Sequence, residues 1–159
     1  MKKYSLLVFD WDGTLIDSKA QIINCMQATI TTLELEPRND KQISDIIGLG
    51  LDEAIRSLYP KVTAKTIKQT AQSYREHYLT KDKTPSPLFE GTTEVLNSLR
   101  DSGYNLAIAT GKSRRGLDKG IIDTGFNEAM IGRIQDLTST GAYDGVKKAI
   151  LQTANAGNP

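Results

Sequence analysis

The chain has 159 residues, of which 38% are apolar and 25% charged, so it is long enough to bury a core and is not a disordered tail. Its 20 Lys and Arg residues and 19 Asp and Glu residues leave a net charge of +1, which argues against nucleic acid or an anionic membrane as partners. The single cysteine excludes a disulfide framework within the chain and a four-cysteine zinc site. No apolar run is long enough to span a membrane. We therefore expect a soluble cytoplasmic protein.

The amino-terminal segment predicts a β-strand that ends in a polar turn. Residues 4–9 are β-prone and continuously apolar, which is typical of a strand buried on both faces of a parallel sheet. The segment Asp10-Trp11-Asp12-Gly13-Thr14 follows, and its polar, glycine-containing composition ends the strand.

Residues 18–85 predict a helical insert. Apolar residues recur at helical spacing in several stretches, and prolines and glycines separate these stretches. The segment 84–87, Thr-Pro-Ser-Pro, forms a stiff linker at the end of the insert. We therefore assign residues 18–85 to the helical insert, and residues 1–17 and 86–159 to one surrounding core unit.

After the linker, helices and strands alternate. We predict a helix at 90–101, a strand at 104–109, a turn at 110–113 that opens a second helix, and a third strand at 129–134. A last helix follows at 146–153. This order predicts an α/β fold with a parallel, doubly wound sheet.

Two carboxylates follow the first strand. Asp10 and Asp12 are two positions apart, so extended backbone points both to one side at the carboxyl end of the strand, where parallel sheets bind ligands. Such carboxylates repel each other, and a hard cation such as Mg²⁺ removes the repulsion. One can then attack phosphorus, while the other, with a raised pKa, protonates the leaving oxygen and later activates water. Gly13 and Thr14 turn the backbone and offer N–H groups to an anion.

Three motifs resemble those of one protein family. Phe9-Asp10-Trp11-Asp12-Gly13-Thr14-Leu15-Ile16-Asp17-Ser18 resembles the signature of the haloacid dehalogenase-like hydrolases, most closely their phosphoglycolate phosphatase-like group, which inserts a helical cap just after it. Leu88-Phe89-Glu90-Gly91 resembles the return to the core, and Ala109-Thr110-Gly111-Lys112 resembles the second motif. The resemblance covers roughly the first four fifths of the chain. It implies a Rossmann-like parallel sheet core, incomplete at the carboxyl end, with an inserted α-helical cap.

The resemblance also implies roles for single residues. Asp10 would be the nucleophile that forms an aspartyl-phosphate, and Asp12 the general acid and base. The Asp10 carboxylate and the Asp12 backbone carbonyl would hold Mg²⁺. The predicted phosphate site consists of the backbone of Trp11 and Asp12, Gly13, Thr14, the Thr110 hydroxyl, the Gly111 N–H and Lys112. The alternative interpretation of the first motif is a polar turn without chemistry.

Two elements of the family's site have no plain counterpart. The family has a lysine, normally followed by proline, after its third strand, and we take Lys147 as the catalytic candidate, with Lys148 or neither as alternatives. No proline follows Lys147, and a solvated helix face also explains both lysines. The family's acidic pair lies in a Gly-Asp loop after the fourth strand, and the spacing supports neither Asp136 nor Asp144 as its substitute.

Two loops allow alternative interpretations. The turn 110–113 resembles the end of a phosphate-binding P-loop, but that motif needs glycine five positions before Gly111, where Leu106 stands. An anion site at a helix N-terminus and a helix N-cap made by Ser113 both remain possible for this turn. The segment Gly48-Leu49-Gly50 is either a loop that approaches the active site or a simple helix break.

Four other side chains are not expected to carry chemistry. We expect His77, Arg114 and Arg115 at the surface and Cys25 as a buried, inert thiol. Trp11 is expected to pack beside the site.

Two functions follow as hypotheses. The first is a Mg²⁺-dependent phosphatase that hydrolyses a small, phosphoglycolate-like monoester. The alternative is a catalytically impaired, truncated fragment or pseudoenzyme that acts as a binding or interaction module. Because the chain is shorter than typical family members, we also expect an uncovered core surface and a possible homo-oligomer.

Overall fold

The computed structural model describes residue 4, residues 6–126 and the backbone of residues 133–136. The predicted helix at 146–153, with Lys147 and Lys148, lies outside the described residues, as does Asp144. Within the described helices, none combines the length and the apolar character that a membrane crossing requires.

Within the described part of the chain, three parallel strands form the sheet. The strands are β1, Leu6–Phe9, β2, Asn105–Thr110, and β3, Arg133–Asp136, in the order β1-β2-β3. Phe9 pairs with Ile108 and Thr110 pairs with Asp136, so the carboxyl ends of neighbouring strands meet at one edge. The predicted α/β fold with a parallel sheet is confirmed. The third strand was predicted at 129–134; Arg133–Asp136 form a strand, and residues 129–132 lie outside the described residues.

Strand β1 differs from its prediction in the covering of its faces. Leu6 is 51% exposed and Val8 39% exposed, whereas Leu7 and Phe9 pack against the hydrophobic core. The expectation that both faces are buried was therefore wrong. An apolar run indicates a strand that packs against other parts of the protein, but it does not show whether one face or both faces are covered. That depends on the helices packed on each side of the sheet.

The core unit packs two helices and the first turn against the sheet. Helix α5 spans Thr92–Asp101 and helix α6 spans Arg114–Thr124, close to the predicted segments. The buried cluster is made of apolar residues from the turn, both helices and β2: Trp11, Leu15, Ile16, Leu96, Leu106, Ile108, Leu117, Ile121 and Phe126. Trp11 contacts Phe126 edge to face, with ring centroids 5.4 Å apart. This cluster holds the motif at the end of β1 against α6.

The helical insert forms as predicted and has its own buried cluster. Its elements are α1, Lys19–Thr32, α2, Asp40–Ser44, α3, Leu51–Leu58, and α4, Ala64–Glu76, which continues into one π-helical segment, His77–Lys81. Asn39 caps α2 with a capping box and the Thr63 side chain caps α4, so both helix starts have partners for free N–H groups. Met26, Ile43 and Ile55 are fully buried in the insert.

The two linkers between core and insert are joined by hydrogen bonds. The Asp17 N–H donates to the Pro87 carbonyl at 2.8 Å, and Ile16 pairs with Leu88 across the linkers. The Ser86 hydroxyl donates to the Gln21 amide oxygen at 2.9 Å. The chain therefore leaves and re-enters the core at one place, beside the turn that follows β1.

Candidate active site

Both carboxylates of the first motif line one cavity. The cavity has a volume of about 490 Å³ and lies between the carboxyl edge of the sheet and the helical insert. From the core its wall includes Asp10, Asp12, Thr110, Gly111 and Lys112. Parallel pairing of β1 with β2 explains this grouping, because the turn after β1 and the turn after β2 leave the sheet on the same side.

Asp10 is the residue directly after β1. One of its oxygens, Oδ1, accepts a hydrogen bond from the Trp11 backbone N–H at 2.7 Å. Burial raises the pKa of Asp10, and the neighbouring charge of Asp12 adds to the increase, whereas the Trp11 N–H and Lys112 oppose it. A carboxylate whose pKa is raised by a second carboxylate beside it is a site for a cation or for a shared proton.

Asp12 is held from one side. Its Oδ2 lies 3.2 Å from the Lys112 ammonium, and both side chains are nearly buried, with 13% and 10% exposed. Its Oδ1 is buried and has no hydrogen-bond partner among the described residues. Buried polar atoms are rarely left without a partner in folded proteins, so this oxygen is a candidate to meet a ligand, a water molecule or a proton.

Lys112 has a different partner from the one the sequence predicts. We expected it among the phosphate-binding groups, but its ammonium pairs with Asp12 and lies 4.1 Å from the centroid of the Tyr78 ring. Burial lowers the pKa of Lys112, but the charge of Asp12 and the contact with Tyr78 outweigh this effect, so that the pKa is raised and the ammonium stays charged. The site therefore contains a buried cation beside the two carboxylates.

The turn after β2 supplies two further groups. Thr110 is 1% exposed, and its hydroxyl accepts the Lys112 backbone N–H at 3.2 Å. Ser113 is the N-cap of α6, since its side chain accepts the Gly116 N–H at 3.3 Å, and it also lines the cavity. The N-cap interpretation is confirmed for Ser113, and the turn still faces the cavity.

Gly111 lies against the insert. A Cβ at Gly111 would be 3.3 Å from backbone atoms of Leu49 and Gly50, so glycine allows the two backbones to approach closely. Gly50 is also the N-cap of α3. Of the two interpretations left open for Gly48-Leu49-Gly50, both hold: the segment precedes a helix, and it lies against the turn of the candidate site.

Three residues of the first motif lie outside the cavity wall. The Trp11 ring is fully buried in the core cluster, and its backbone N–H is used by Asp10. The Gly13 N–H donates to the Ile16 carbonyl at 2.9 Å, and the Thr14 N–H to the Trp11 carbonyl at 3.3 Å. Gly13 and Thr14 therefore close the turn in this structure instead of facing the cavity, because a turn this tight uses its own N–H groups.

The insert contributes residues that sequence reasoning missed. Tyr74, Arg75 and Tyr78 line the cavity from α4 and the π-helical segment. Arg75 is half exposed, and its guanidinium lies 3.9 Å from the Asp52 carboxylate, also in the wall. Tyr74 and Tyr78 are four positions apart, a spacing that places them on one face of a helix, but this spacing carries no signal that the face meets the active site.

The remaining expectations concern side chains away from the cavity. Arg114 and Arg115 are exposed, and Arg114 pairs with Asp118 at 2.7 Å. His77 is half-buried rather than fully at the surface, because its Nε2 lies 3.1 Å from the Thr32 hydroxyl. Cys25 is buried as expected, and burial raises the pKa of its thiol to about 12.

The donor set was tested for a divalent cation. Within the described residues, no group of three or more His, Cys, Asp and Glu side chains could hold a metal ion. Asp10 and Asp12 nevertheless line one cavity, and the Asp10 carboxylate is a hard oxygen ligand there. This pair fits Mg²⁺, which binds through one or two carboxylates and keeps water and phosphate as its other ligands.

Comparison with known sequences points to one family. The sequence model of the haloacid dehalogenase-like hydrolases matches residues 7–152. The chain is 32% identical over 113 residues to the probable phosphatase IndB of Dickeya dadantii, and this match covers 67% of the chain and 48% of IndB. It is 31% identical over 123 residues to the pyrophosphatase PpaX of Halalkalibacterium halodurans, and this match covers 77% of the chain and 55% of PpaX. It is 28% identical over 132 residues to a phosphoglycolate phosphatase of Aquifex aeolicus, and this match covers 80% of the chain and 60% of that phosphatase.

Length separates the chain from these relatives. It spans 48% to 60% of the three curated relatives it matches. Among solved structures, it is similar to a predicted phosphatase from Clostridium acetobutylicum, with a TM-score of 0.77 and 21% identity over 96% of the chain and 71% of that structure. It is also similar to a haloacid dehalogenase-like hydrolase from Streptococcus pneumoniae, with a TM-score of 0.74 and 25% identity over 98% and 72%. These structures support the fold of core and insert.

Proposed function

Since the chain belongs to the haloacid dehalogenase-like hydrolases, we propose that it is a phosphatase that hydrolyses a small phosphate monoester through an aspartyl-phosphate on Asp10. One observation carries the proposal: Asp10 and Asp12 line the same cavity as Thr110 and Lys112. A nucleophile, an acid and base, a hydroxyl and an ammonium are the groups that phosphoryl transfer requires in one place.

The reaction has two steps. In the first, an Asp10 carboxylate oxygen attacks phosphorus and the bond to the ester oxygen breaks, while the carboxyl proton of Asp12 passes to the leaving alkoxide. In the second, Asp12 takes a proton from water, the water oxygen attacks phosphorus, and phosphate leaves with Asp10 restored. The Trp11 N–H holds one Asp10 oxygen at 2.7 Å, which orients the other for attack. The Thr110 hydroxyl and Lys112 supply donors to phosphoryl oxygens from the same wall.

Mg²⁺ is the proposed cofactor. Held by the Asp10 carboxylate and the Asp12 backbone carbonyl, it would neutralise the charge of Asp10 and of the incoming phosphate. The raised pKa of Asp10, caused first by burial and then by Asp12, supports the need for a cation that favours the ionised nucleophile. Lys147, which the resemblance also implies, stays a prediction.

The substrate class follows from the cavity and from the relatives. A volume of about 490 Å³ suits a small molecule, and the insert closes one side of it. Relatives include a phosphoglycolate phosphatase and a pyrophosphatase, both of which act on small phosphorylated compounds by name. We therefore propose a small phosphorylated metabolite of the phosphoglycolate type as substrate, in the cytoplasm, with neither nucleic acid nor membrane as partner.

A phosphate-binding module with little turnover is the second candidate. One observation favours it: Lys112 neutralises Asp12 in the structure. A second copy of the chain that covers the exposed Leu6 and Val8 is a further proposal, and a light-scattering mass of one chain would overturn it.

Hydrolysis of p-nitrophenyl phosphate with and without Mg²⁺ separates the candidates. For a phosphatase, Asp10→Asn should lower kcat by at least about a thousandfold, because the amide is no nucleophile. Asp17→Asn is the matched control, since Asp17 is an exposed carboxylate of the same segment, and it should leave the rate unchanged. Equal rates for Asp10→Asn and the unmodified protein would refute catalysis at Asp10. Phosphate binding without turnover would favour the second candidate.

A further inference from the structure

Tyr78 joins the helical insert to the active-site turn. It lies in the π-helical segment His77–Lys81, and its side chain is 4% exposed. The Lys112 ammonium lies 4.1 Å from the centroid of its ring. The Tyr78 hydroxyl donates to the Gly116 carbonyl in α6 at 3.4 Å. One side chain of the insert therefore contacts both the cation of the site and the first turn of the helix that follows it.

Two neighbouring features hold this arrangement in place. Tyr74 stacks on Tyr78, with ring centroids 6.3 Å apart and planes inclined by 11°, which fixes the orientation of the ring. A Cβ at Gly116 would lie 2.9 Å from Cγ of Lys112, so the aliphatic stem crosses the helix at the place where glycine leaves room. The stem path and the ring face together direct the ammonium toward Asp12.

We propose that Tyr78 is a positioning residue for Asp12 and acts through Lys112. The ammonium contacts both the Tyr78 ring face, 4.1 Å from its centroid, and Asp12 Oδ2 at 3.2 Å, and attraction to the ring restrains the ammonium at this place. Oδ1 is buried and has no partner among the described residues, so the contact of Oδ2 with Lys112 is the one that fixes the orientation of this carboxylate in the cavity wall. This inference rests on the proposed phosphatase activity, in which Asp12 is the acid and base.

The position of Asp12 matters most when the leaving group needs a proton. An alkyl phosphate such as 2-phosphoglycolate leaves as a basic alkoxide, whereas p-nitrophenolate leaves without protonation. The value of kcat/KM reports the transfer of the phosphoryl group to Asp10 in both cases. Tyr78→Leu should lower kcat/KM about tenfold for 2-phosphoglycolate and much less for p-nitrophenyl phosphate, because general acid catalysis assists only the first leaving group. Tyr78→Phe keeps the ring face and should restore the 2-phosphoglycolate rate.

Tyr59 provides a matched control. It is also a buried tyrosine of the insert, 6% exposed, and the Arg38 guanidinium lies 4.4 Å from its ring centroid, but it does not line the cavity. Tyr59→Leu should lower the melting temperature without changing the ratio of the two kcat/KM values. If Tyr59→Leu lowers the ratio of kcat/KM for 2-phosphoglycolate to kcat/KM for p-nitrophenyl phosphate as much as Tyr78→Leu does, the effect is merely structural and the proposal is overturned.

Two further variants keep the proposal testable if Tyr78→Leu folds poorly. Gly116→Ala displaces the Lys112 stem while the Tyr78 side chain and the Gly116 carbonyl that it contacts are retained, and it should cause the same selective loss on 2-phosphoglycolate. In a Lys112→Met background, Tyr78→Leu should add no further loss, since it acts through the ammonium. Two results would overturn the role of Tyr78 while leaving the proposed phosphatase function intact. One is an equal effect of Tyr78→Leu on both esters, and the other is a full additional loss when Tyr78→Leu is added to Lys112→Met. Turnover of neither ester by the unmodified protein overturns the proposed function itself.

Discussion

Replacing Lys112 with methionine keeps the length of the aliphatic stem and removes the ammonium group. In the structure this group lies 3.2 Å from Asp12 Oδ2, and only 10% and 13% of the two side chains are exposed. The variant therefore leaves a nearly buried carboxylate without its counter-charge. Breaking a buried pair from one side costs about 3–5 kcal/mol, because the remaining charge stays desolvated. We expect the free energy of unfolding of Lys112→Met to fall by about this amount at neutral pH.

Urea unfolding followed by circular dichroism, without added metal, measures this loss. The control is Lys41→Met, which breaks the Lys41–Asp45 pair at 2.8 Å, with 83% and 61% of the side chains exposed. This exposed pair should leave the free energy of unfolding nearly unchanged, since water solvates both groups after the change. The comparison therefore varies burial while keeping the type of ion pair.

A double variant tests the cause of the loss. Adding Asp12→Asn to Lys112→Met removes the isolated charge and should recover part of the lost stability. If Lys112→Met destabilises no more than Lys41→Met, or if Asp12→Asn recovers nothing, then the carboxylate is well solvated without Lys112. The description of Asp12 as a buried, lysine-held carboxylate would then be wrong.

Two further predictions concern the insert and its joint with the core. Gly111→Ala places a methyl group 3.3 Å from the Gly50 backbone, so it should cost about 1–3 kcal/mol in urea unfolding and raise KM, whereas retained KM and stability would show that the loop yields freely. Cys25 has a thiol whose pKa burial raises to about 12, so iodoacetamide should react slowly at pH 8 in the native protein and quickly in urea. Because the folded-state pKa of the thiol exceeds its unfolded value, the free energy of unfolding should also fall as the pH rises above about 9. Fast alkylation of the native protein would contradict the burial of Cys25.

The elements and the first motif were predictable because their signals are local. An apolar run followed by Asp10-Trp11-Asp12-Gly13 marks both a strand and the carboxylates at its end, and parallel pairing then brings the second motif at Thr110 beside it. Helical spacing identified the insert, since an amphipathic helix repeats its apolar face every few residues. These inferences need no knowledge of distant contacts.

The faces of β1 were not predictable in this way. Its apolar residues suggested burial on both sides, but Leu6 and Val8 are exposed. The backbone N–H groups of Gly13 and Thr14 are likewise used within the turn. In both cases the sequence shows which groups are present, and the packing around them decides what they meet.

Local patterns were enough to predict the α/β fold, the helical insert and the pair Asp10 and Asp12. The pairing of Lys112 with Asp12 and the contact of Tyr78 with Lys112 become visible only in the folded chain. Asp12 lies in the turn after β1, Lys112 in the turn after β2 and Tyr78 in the π-helical segment, and no periodicity or motif relates Tyr78 to the other two. Their meeting depends on how the insert packs over the carboxyl edge of the sheet, which is a property of the whole folded chain.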